Sequence, residues 1–149
     1  MSNLLTDIEF RRVMNRDAGT PATYKATIVD MAGFDEVTFV VAFQTVVNGA
    51  AVTFRIAQAA TNVTGDMVVS KATTGAITSD GTTIALSNKQ LILTVTKPMH
   101  RYLEAQVVIA TQNAPIDHIT AILSSPRDRA TVQGSTVYSS AIHASPTAA

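Results

Sequence analysis

Nearly all of the chain's strand-forming runs, where apolar and polar positions alternate, lie between Tyr24 and Ser124. Val37, Phe39, Val41 and Phe43 recur at every second residue, as do Leu91, Leu93 and Val95, and again Leu103, Ala105, Val107 and Ile109. Successive side chains on a strand point to opposite faces, so a period of two predicts strands with one buried face. Tyr24 to Asp30, Lys89 to Thr96, Arg101 to Ala110 and Ile116 to Ser124 are read as strands on this basis. Turn-like segments at Met31 to Asp35, Lys97 to His100 and Thr111 to Pro115 bound them.

Two turn dipeptides predict hairpins. Asn48-Gly49 lies between apolar runs, and both residues tolerate the positive φ of a two-residue type I′ turn. That turn would pair Val47 with Ala50, Thr45 with Val52, Phe43 with Phe54 and Val41 with Ile56, placing the apolar sets on one side of a shared ladder. Asp80-Gly81 repeats the device and would pair Ser79 with Thr82 and Ile77 with Ile84. Near the start, Thr6 and Glu9 have capping-box spacing, with Leu5 and Phe10 placed for a hydrophobic staple, while Ile8 and Phe10 alternate as on a strand; the strand is preferred.

Short strands at close spacing, with few helical periods between them, predict an all-β fold: a jelly-roll-like antiparallel β-sandwich or barrel with extended terminal arms. Parallel crossovers would need helices that the pattern lacks. Residues 1–23 form an N-terminal segment that could serve as a contact arm, 24–124 the β-sandwich core, and 125–149 an extended C-terminal arm. The arm is polar and rich in small residues, a composition that suits plain disorder. Val132, Val137, Tyr138 and Ile142 are nevertheless spaced apolar anchors, and an extended segment of this kind can add to a sheet edge on a neighbouring subunit.

Composition narrows the function. The 149 residues carry a formal net charge of zero and are only 15% charged, against about 25% in an average globular protein. No field gathers nucleic acid or an anionic membrane. Cysteine is absent, which removes disulfides, thiolate catalysis and sulfur-based zinc sites. The longest unbroken apolar run, Phe39 to Phe43, falls far short of the roughly 20 residues of a membrane span. Asp7 and Glu9 stand where a signal peptide would be apolar, so a soluble chain without a Sec-type leader is expected.

Candidate chemistry is sparse. His100, His118 and His143 show no metal-ligand spacing. Asp117 and His118 are adjacent, but neighbours on a regular strand point to opposite faces and would not hydrogen bond. Glu9, Glu36 and Glu104 do not repeat as the paired carboxylates that a glycosidase holds about 5–9.5 Å apart. Ser135, Ser139 and Ser140 lack a nucleophile elbow, and the glycines form no phosphate cradle. With aromatics at 5% and no tryptophan, a stacking platform for sugars or single strands is disfavoured. No enzyme, cofactor or metal is expected. Arg11, Arg12 and Arg16 near the start, Lys97, His100 and Arg101 in a turn, and Arg127 and Arg129 at the root of the arm are read either as solvated loop charge or as guanidinium contacts to carboxylates of a partner.

Asp30-Met31-Ala32-Gly33-Phe34-Asp35, followed by Val37, Phe39 and Phe43, resembles a motif in small virion proteins of tailed bacteriophages encoded beside the major capsid protein. The likeness continues through Asp7 to Val13, Arg101-Tyr102, Gln112-Asn113-Ala114 with Asp117 and Ile119, and Ser135-Thr136-Val137 to Ser145-Pro146, and is weakest from Ala59 to Asn88. The resemblance implies a capsid decoration, or cement, protein on the outer surface of the mature virion head. Its partners would be the major capsid protein and itself, as a homotrimer, with no catalytic residues. The expected contact residues are Arg11, Arg12, Arg16, Arg127, Arg129, Val132, Val137, Tyr138 and Ile142. A head-tail joining or tail component, and a host-glycan-binding module on the virion surface, are the alternatives.

Overall fold

The computed structural model describes residues 7–127 and 133–140. Among these, nine strands form two antiparallel sheets packed face to face. They are β1 (Glu9–Met14), β2 (Ala22–Lys25), β3 (Val29–Asp30), β4 (Phe34–Phe43), β5 (Ala51–Ala59), β6 (Val68–Thr78), β7 (Gln90–Thr96), β8 (Tyr102–Ala110) and β9 (Ile116–Pro126). The first sheet has the order β1-β9-β4-β7 and the second β2-β8-β5-β6, with the short β3 also on β8. With β3 set aside, this interleaving of eight strands is the jelly-roll arrangement of two antiparallel sheets.

The alternation read from the sequence builds the core. Val37, Phe39 and Val41 of β4 and Ile119, Ala121 and Leu123 of β9 face Val52, Phe54 and Ile56 of β5 and Leu103, Ala105 and Val107 of β8, all of them buried. Each large apolar side chain so enclosed contributes about 1.5–3 kcal/mol relative to exposure. Glu9–Met14 is a strand, paired with β9 from Glu9↔Leu123 to Arg12↔Thr120. Tyr24 to Asp30 divides into β2 and β3, and β9 continues past Ser124 to Pro126.

Neither expected hairpin forms. A turn does lie at Asn48-Gly49, closed by the Ala50 N–H donating to the Val47 carbonyl at 3.1 Å. Gly49 has φ +90 while Asn48 is not among the positive-φ residues, so the turn lacks the paired positive φ of type I′. It carries the chain across the sandwich: β4 pairs with β7 and β9, β5 with β6 and β8. Phe43 and Phe54 both reach the core, but from opposite sheets. At Asp80-Gly81 the aspartate Oδ1 accepts the N–H groups of Thr82 (2.8 Å) and Ile84 (2.9 Å), which folds the segment into a loop. Ile77 pairs with Val52 instead of Ile84. The adjacent pair that does form within one sheet is β5–β6, joined through a single 3-10 turn at Thr64–Asp66.

Candidate interaction surfaces

The Asp30–Asp35 stretch and Arg101-Tyr102 meet at one end of the sandwich. Asp30 closes β3 opposite Tyr102 of β8, and its Oδ1 accepts the Ala32 N–H at 2.9 Å, which fixes the carboxylate at the start of the turn. Arg101 grips that carboxylate with both arms, Nε to Oδ1 and Nη2 to Oδ2, each at 2.8 Å. Its guanidinium lies 5.2 Å from the Tyr102 ring centroid, within cation–π range. The hydrogen bond from Arg101 holds the Asp30 carboxyl below its usual range; partial burial opposes this, and the Ala32 bond and the Arg101 charge add to it.

The same end gathers the root of the C-terminal arm. The Arg127 Nε donates to Asp35 Oδ1 at 3.1 Å and its backbone N–H to the Gly33 carbonyl at 2.8 Å. The Lys97 N–H donates to the Asp35 carbonyl at 2.7 Å. Between the 31–33 turn with the start of β4 and the 97–101 loop lies an open groove of ≈650 Å³, whose lining includes Phe34, Lys97, Met99, His100 and Arg127. Met99 is 86% exposed at its rim. Three cationic side chains and two ion-paired carboxylates around an open groove are suited to a polar partner surface. The turn arginine and the arm-root arginine, far apart in sequence, thus share one surface.

The second surface is the outer edge of β1. Gln133 reaches it with both ends of its side-chain amide: Oε1 accepts the Phe10 N–H at 2.9 Å and Nε2 donates to the Ile8 carbonyl at 2.6 Å. Thr136 Oγ1 accepts the Arg12 N–H at 3.2 Å. Two side chains of the arm therefore stand in for the rungs of a missing strand. Beneath them, Arg11 Nε donates to the nearly buried Glu9 at 2.6 Å, and Arg11 and Arg12 with Gly134 and Thr136 line a cleft of ≈370 Å³. The Val137 N–H bonds the Gly134 carbonyl at 3.0 Å, Val137 is half-buried and Tyr138 fully exposed. Apolar spacing does not single out Gln133 and Thr136, because it looks for burial, whereas this anchor is a polar group with donor and acceptor at backbone geometry.

Arg16 sits apart from both surfaces, exposed at the other end of the first sheet beside the Asp17–Ile116 bridge. Arg129, Val132 and Ile142 lie outside the described residues. Asp117 and His118 do approach each other, Oδ2 to Nδ1 at 3.2 Å, against the expectation for strand neighbours. The partners explain it. Ile116 opposes Phe43 and His118 opposes Ala42, leaving Asp117 as the extra residue of a bulge, where the strict up-and-down alternation fails. Among the described residues no group of three or more histidine, cysteine or acidic side chains could hold a metal ion, and no helix is long and apolar enough to cross a membrane.

A polar chain on the outer face of the second sheet is likewise invisible to the sequence pattern. Glu104 and Gln106 occupy the solvent-side positions of β8 yet are buried. Gln106 Nε2 donates to Glu104 Oε1 at 2.8 Å, Thr64 Oγ1 to Glu104 Oε2 at 3.1 Å, and Arg55 Nε to Gln106 Oε1 at 3.0 Å. The β5–β6 connection, through Thr64, bonds to this face of the sheet.

No family model and no curated protein matches the chain. Among solved structures the chain is similar to one described by the words "Bacillus endospore appendages form a novel family of disulfide-linked pili", at 10% identity, covering 89% of this chain and 95% of that chain with a TM-score of 0.40.

Proposed function

We propose that the protein is a bacteriophage capsid decoration protein, which binds the outer surface of the mature head and stabilises it without catalysis, as a homotrimer. The observation that carries this reading is the meeting of the Asp30–Asp35 turn with Arg101-Tyr102, two stretches on which the resemblance rests, in one ion-paired surface that also receives the arm root at Arg127. A rigid jelly roll holds that surface at one end, and the arm begins beside it. In this role the protein contributes contacts and valency: each subunit of a ring touches the lattice, and linking weak contacts raises the combined affinity well above any one of them. Head stabilisation then results from mass action, because a ligand that binds the assembled shell and not its dispersed subunits favours the shell.

The test uses expanded heads that lack the protein. Added protein should saturate the heads at a fixed stoichiometry and raise their resistance to heat and chelators. Failure to bind, or binding with no gain in resistance, would remove the decoration role.

A further inference from the structure

Each sheet of this sandwich has two edges, and the four differ in how they are protected. The β1 edge is covered by Gln133 and Thr136 and carries a register shift next to Arg12. The β2 edge is four residues long and ends on Lys25. The β6 edge is broken by two register shifts and carries Lys71. The β7 edge has none of these devices. Its seven residues, Gln-Leu-Ile-Leu-Thr-Val-Thr, contain no charge and no proline, and they pair with β4 from Glu36↔Thr96 to Ala42↔Gln90 without a shift. An uncharged, regular, β-prone edge is what natural sheets avoid unless another strand takes it.

The phase of the ladder shows what that edge offers. The Phe43 N–H donates to the Lys89 carbonyl (3.0 Å) and the Lys97 N–H to the Asp35 carbonyl (2.7 Å), flanking the paired run. Odd-numbered residues of β7 therefore bond to β4, while Gln90, Ile92, Thr94 and Thr96 turn their N–H and C=O groups to the open side. Ile92 stands 57% exposed at its centre, with Val40 of β4 opposite it on one side and no strand on the other, among the described residues, to cover it.

We propose that the β7 edge is the acceptor for a strand formed by residues 137–145 of the C-terminal arm of a second copy of the chain. The donor suits the edge in charge, length and position. From Gln133 to Ala149 there is no Asp, Glu, Lys or Arg, so pairing desolvates no charge on either side. The stretch before Pro146 is long enough to match the seven residues of β7. Residues 133–136 are held on β1, the opposite edge of the same sheet. A chain's own β7 thus lies three strand spacings away across the sheet, about 14 Å. A neighbour whose β7 is set beside β1 needs no such crossing. Contact between two different edges is heterologous, and repeated around an axis it closes a ring. The inference rests on the proposed assembly role and names the surface through which copies join.

The absence of cysteine makes the test direct. Mass-tagged Ile92→Cys protein is mixed with Ser140→Cys protein and oxidised at the highest soluble concentration, with Thr23→Cys on the β2 edge as the control partner for Ser140→Cys. A mixed 92–140 disulfide dimer, at least about tenfold more abundant than the 23–140 product, supports the assignment; equal yields, or no 92–140 product, overturn it. Self-dimers of Ile92→Cys alone in place of the mixed product would replace it with a two-fold β7–β7 contact.

Thr94→Pro supplies a second reading. It removes an N–H that faces the open side and leaves the β4 ladder intact, and Thr94→Ala controls for the hydroxyl bond to Thr38. Self-association of the proline variant should weaken by about 100-fold, the equivalent of two or three backbone hydrogen bonds; unchanged association of the folded variant overturns the proposal. Heads that are still bound by protein giving no 92–140 crosslink would leave the decoration role standing and this edge assignment refuted. Crosslinked protein that ignores heads would do the reverse.

Discussion

Arg101 holds Asp30 by two parallel hydrogen bonds of 2.8 Å each, across a sequence separation that spans most of the jelly roll. The pairing depends on the β3–β8 register, which sets Asp30 opposite Tyr102, and on the Ala32 N–H that orients the carboxylate from the other side. A planar fork on a pre-oriented carboxylate makes a rigid rim for the groove. Both side chains are more than a third exposed, so solvent screens the pair and its larger effect is on geometry.

Acid should reveal this pair. Asp30 is more acidic in the folded chain than in the unfolded one, so its contribution is complete above the unfolded-chain value and is lost as the pH falls through the lower folded-state value. Arg101→Lys keeps the charge but loses the fork. Thermal midpoints of the native protein and of Arg101→Lys, measured from about pH 2 to pH 6, should differ by a small margin at the upper end and converge at the lower. A gap that stays constant across the range would mean that Asp30 does not carry the difference.

The buried chain Arg55–Gln106–Glu104–Thr64 should be far less tolerant than its solvent-side strand positions imply. Gln106 donates to Glu104 and accepts from Arg55, and Glu104 has no exposed surface. Gln106→Leu leaves a buried carboxylate with one donor fewer, at a cost of about 2–3 kcal/mol. Gln106→Glu should cost more, because it sets a second carboxylate beside the first. Denaturant midpoints would decide, and a Gln106→Glu protein as stable as the native one would show that the network is open to water.

The inward faces of β4, β5, β7 and β8 were legible in the sequence, and which strands share a sheet was not. Phe43 and Phe54 look alike whether they lie side by side on one sheet or face each other across the core, because period two records burial and is silent about the partner. Asn48-Gly49 announced a turn correctly, but the dipeptide does not by itself select the type I′ form. β6 escaped because Val68–Thr78 is exposed or half-buried throughout and contains Lys71 and Gly75, leaving little alternation to read. At the ion-paired end the arginines were visible as basic turns. Their union with Asp30 and Asp35 required the β3–β8 and β4–β9 registers, which no local pattern contains.

Two backbone positions should respond in opposite directions. Thr111 has φ +72, and the Gln112 N–H reaches back to the Ala110 carbonyl at 2.9 Å, a γ-turn of the rarer, strained form and a poor place for a β-branched residue. Thr111→Gly, which admits this conformation without a β-carbon clash, should stabilise the protein by about 0.5–1 kcal/mol. A β-carbon on Gly19, at φ +63, would lie 2.0 Å from the Ala114 carbonyl oxygen, and that carbonyl belongs to a backbone segment fixed by the Ala114 N–H bond to Gly19. Gly19→Ala should cost about 3 kcal/mol, lowering the melting point by about 6–12 °C. Calorimetry that finds both substitutions neutral would contradict the turn geometry.

The clasp on β1 can be read one amide at a time. Phe10 and Arg12 direct their N–H groups to Gln133 and Thr136, while the alternate residue Arg11 turns its own toward β9, with Ala121 as its register partner. Because Arg127 still anchors to Gly33 and Asp35, a chain truncated after Arg127 should keep its fold and lose only the clasp on the β1 edge. Hydrogen exchange should then accelerate by about tenfold or more at Phe10 and Arg12 and stay slow at Arg11. Gln133→Ala in the full-length chain should affect Phe10 most and Thr136→Ala should affect Arg12 most. The alternation is the discriminating feature: general fraying of β1 would speed all three amides together, and an arm that never lay on this edge would leave all three unchanged.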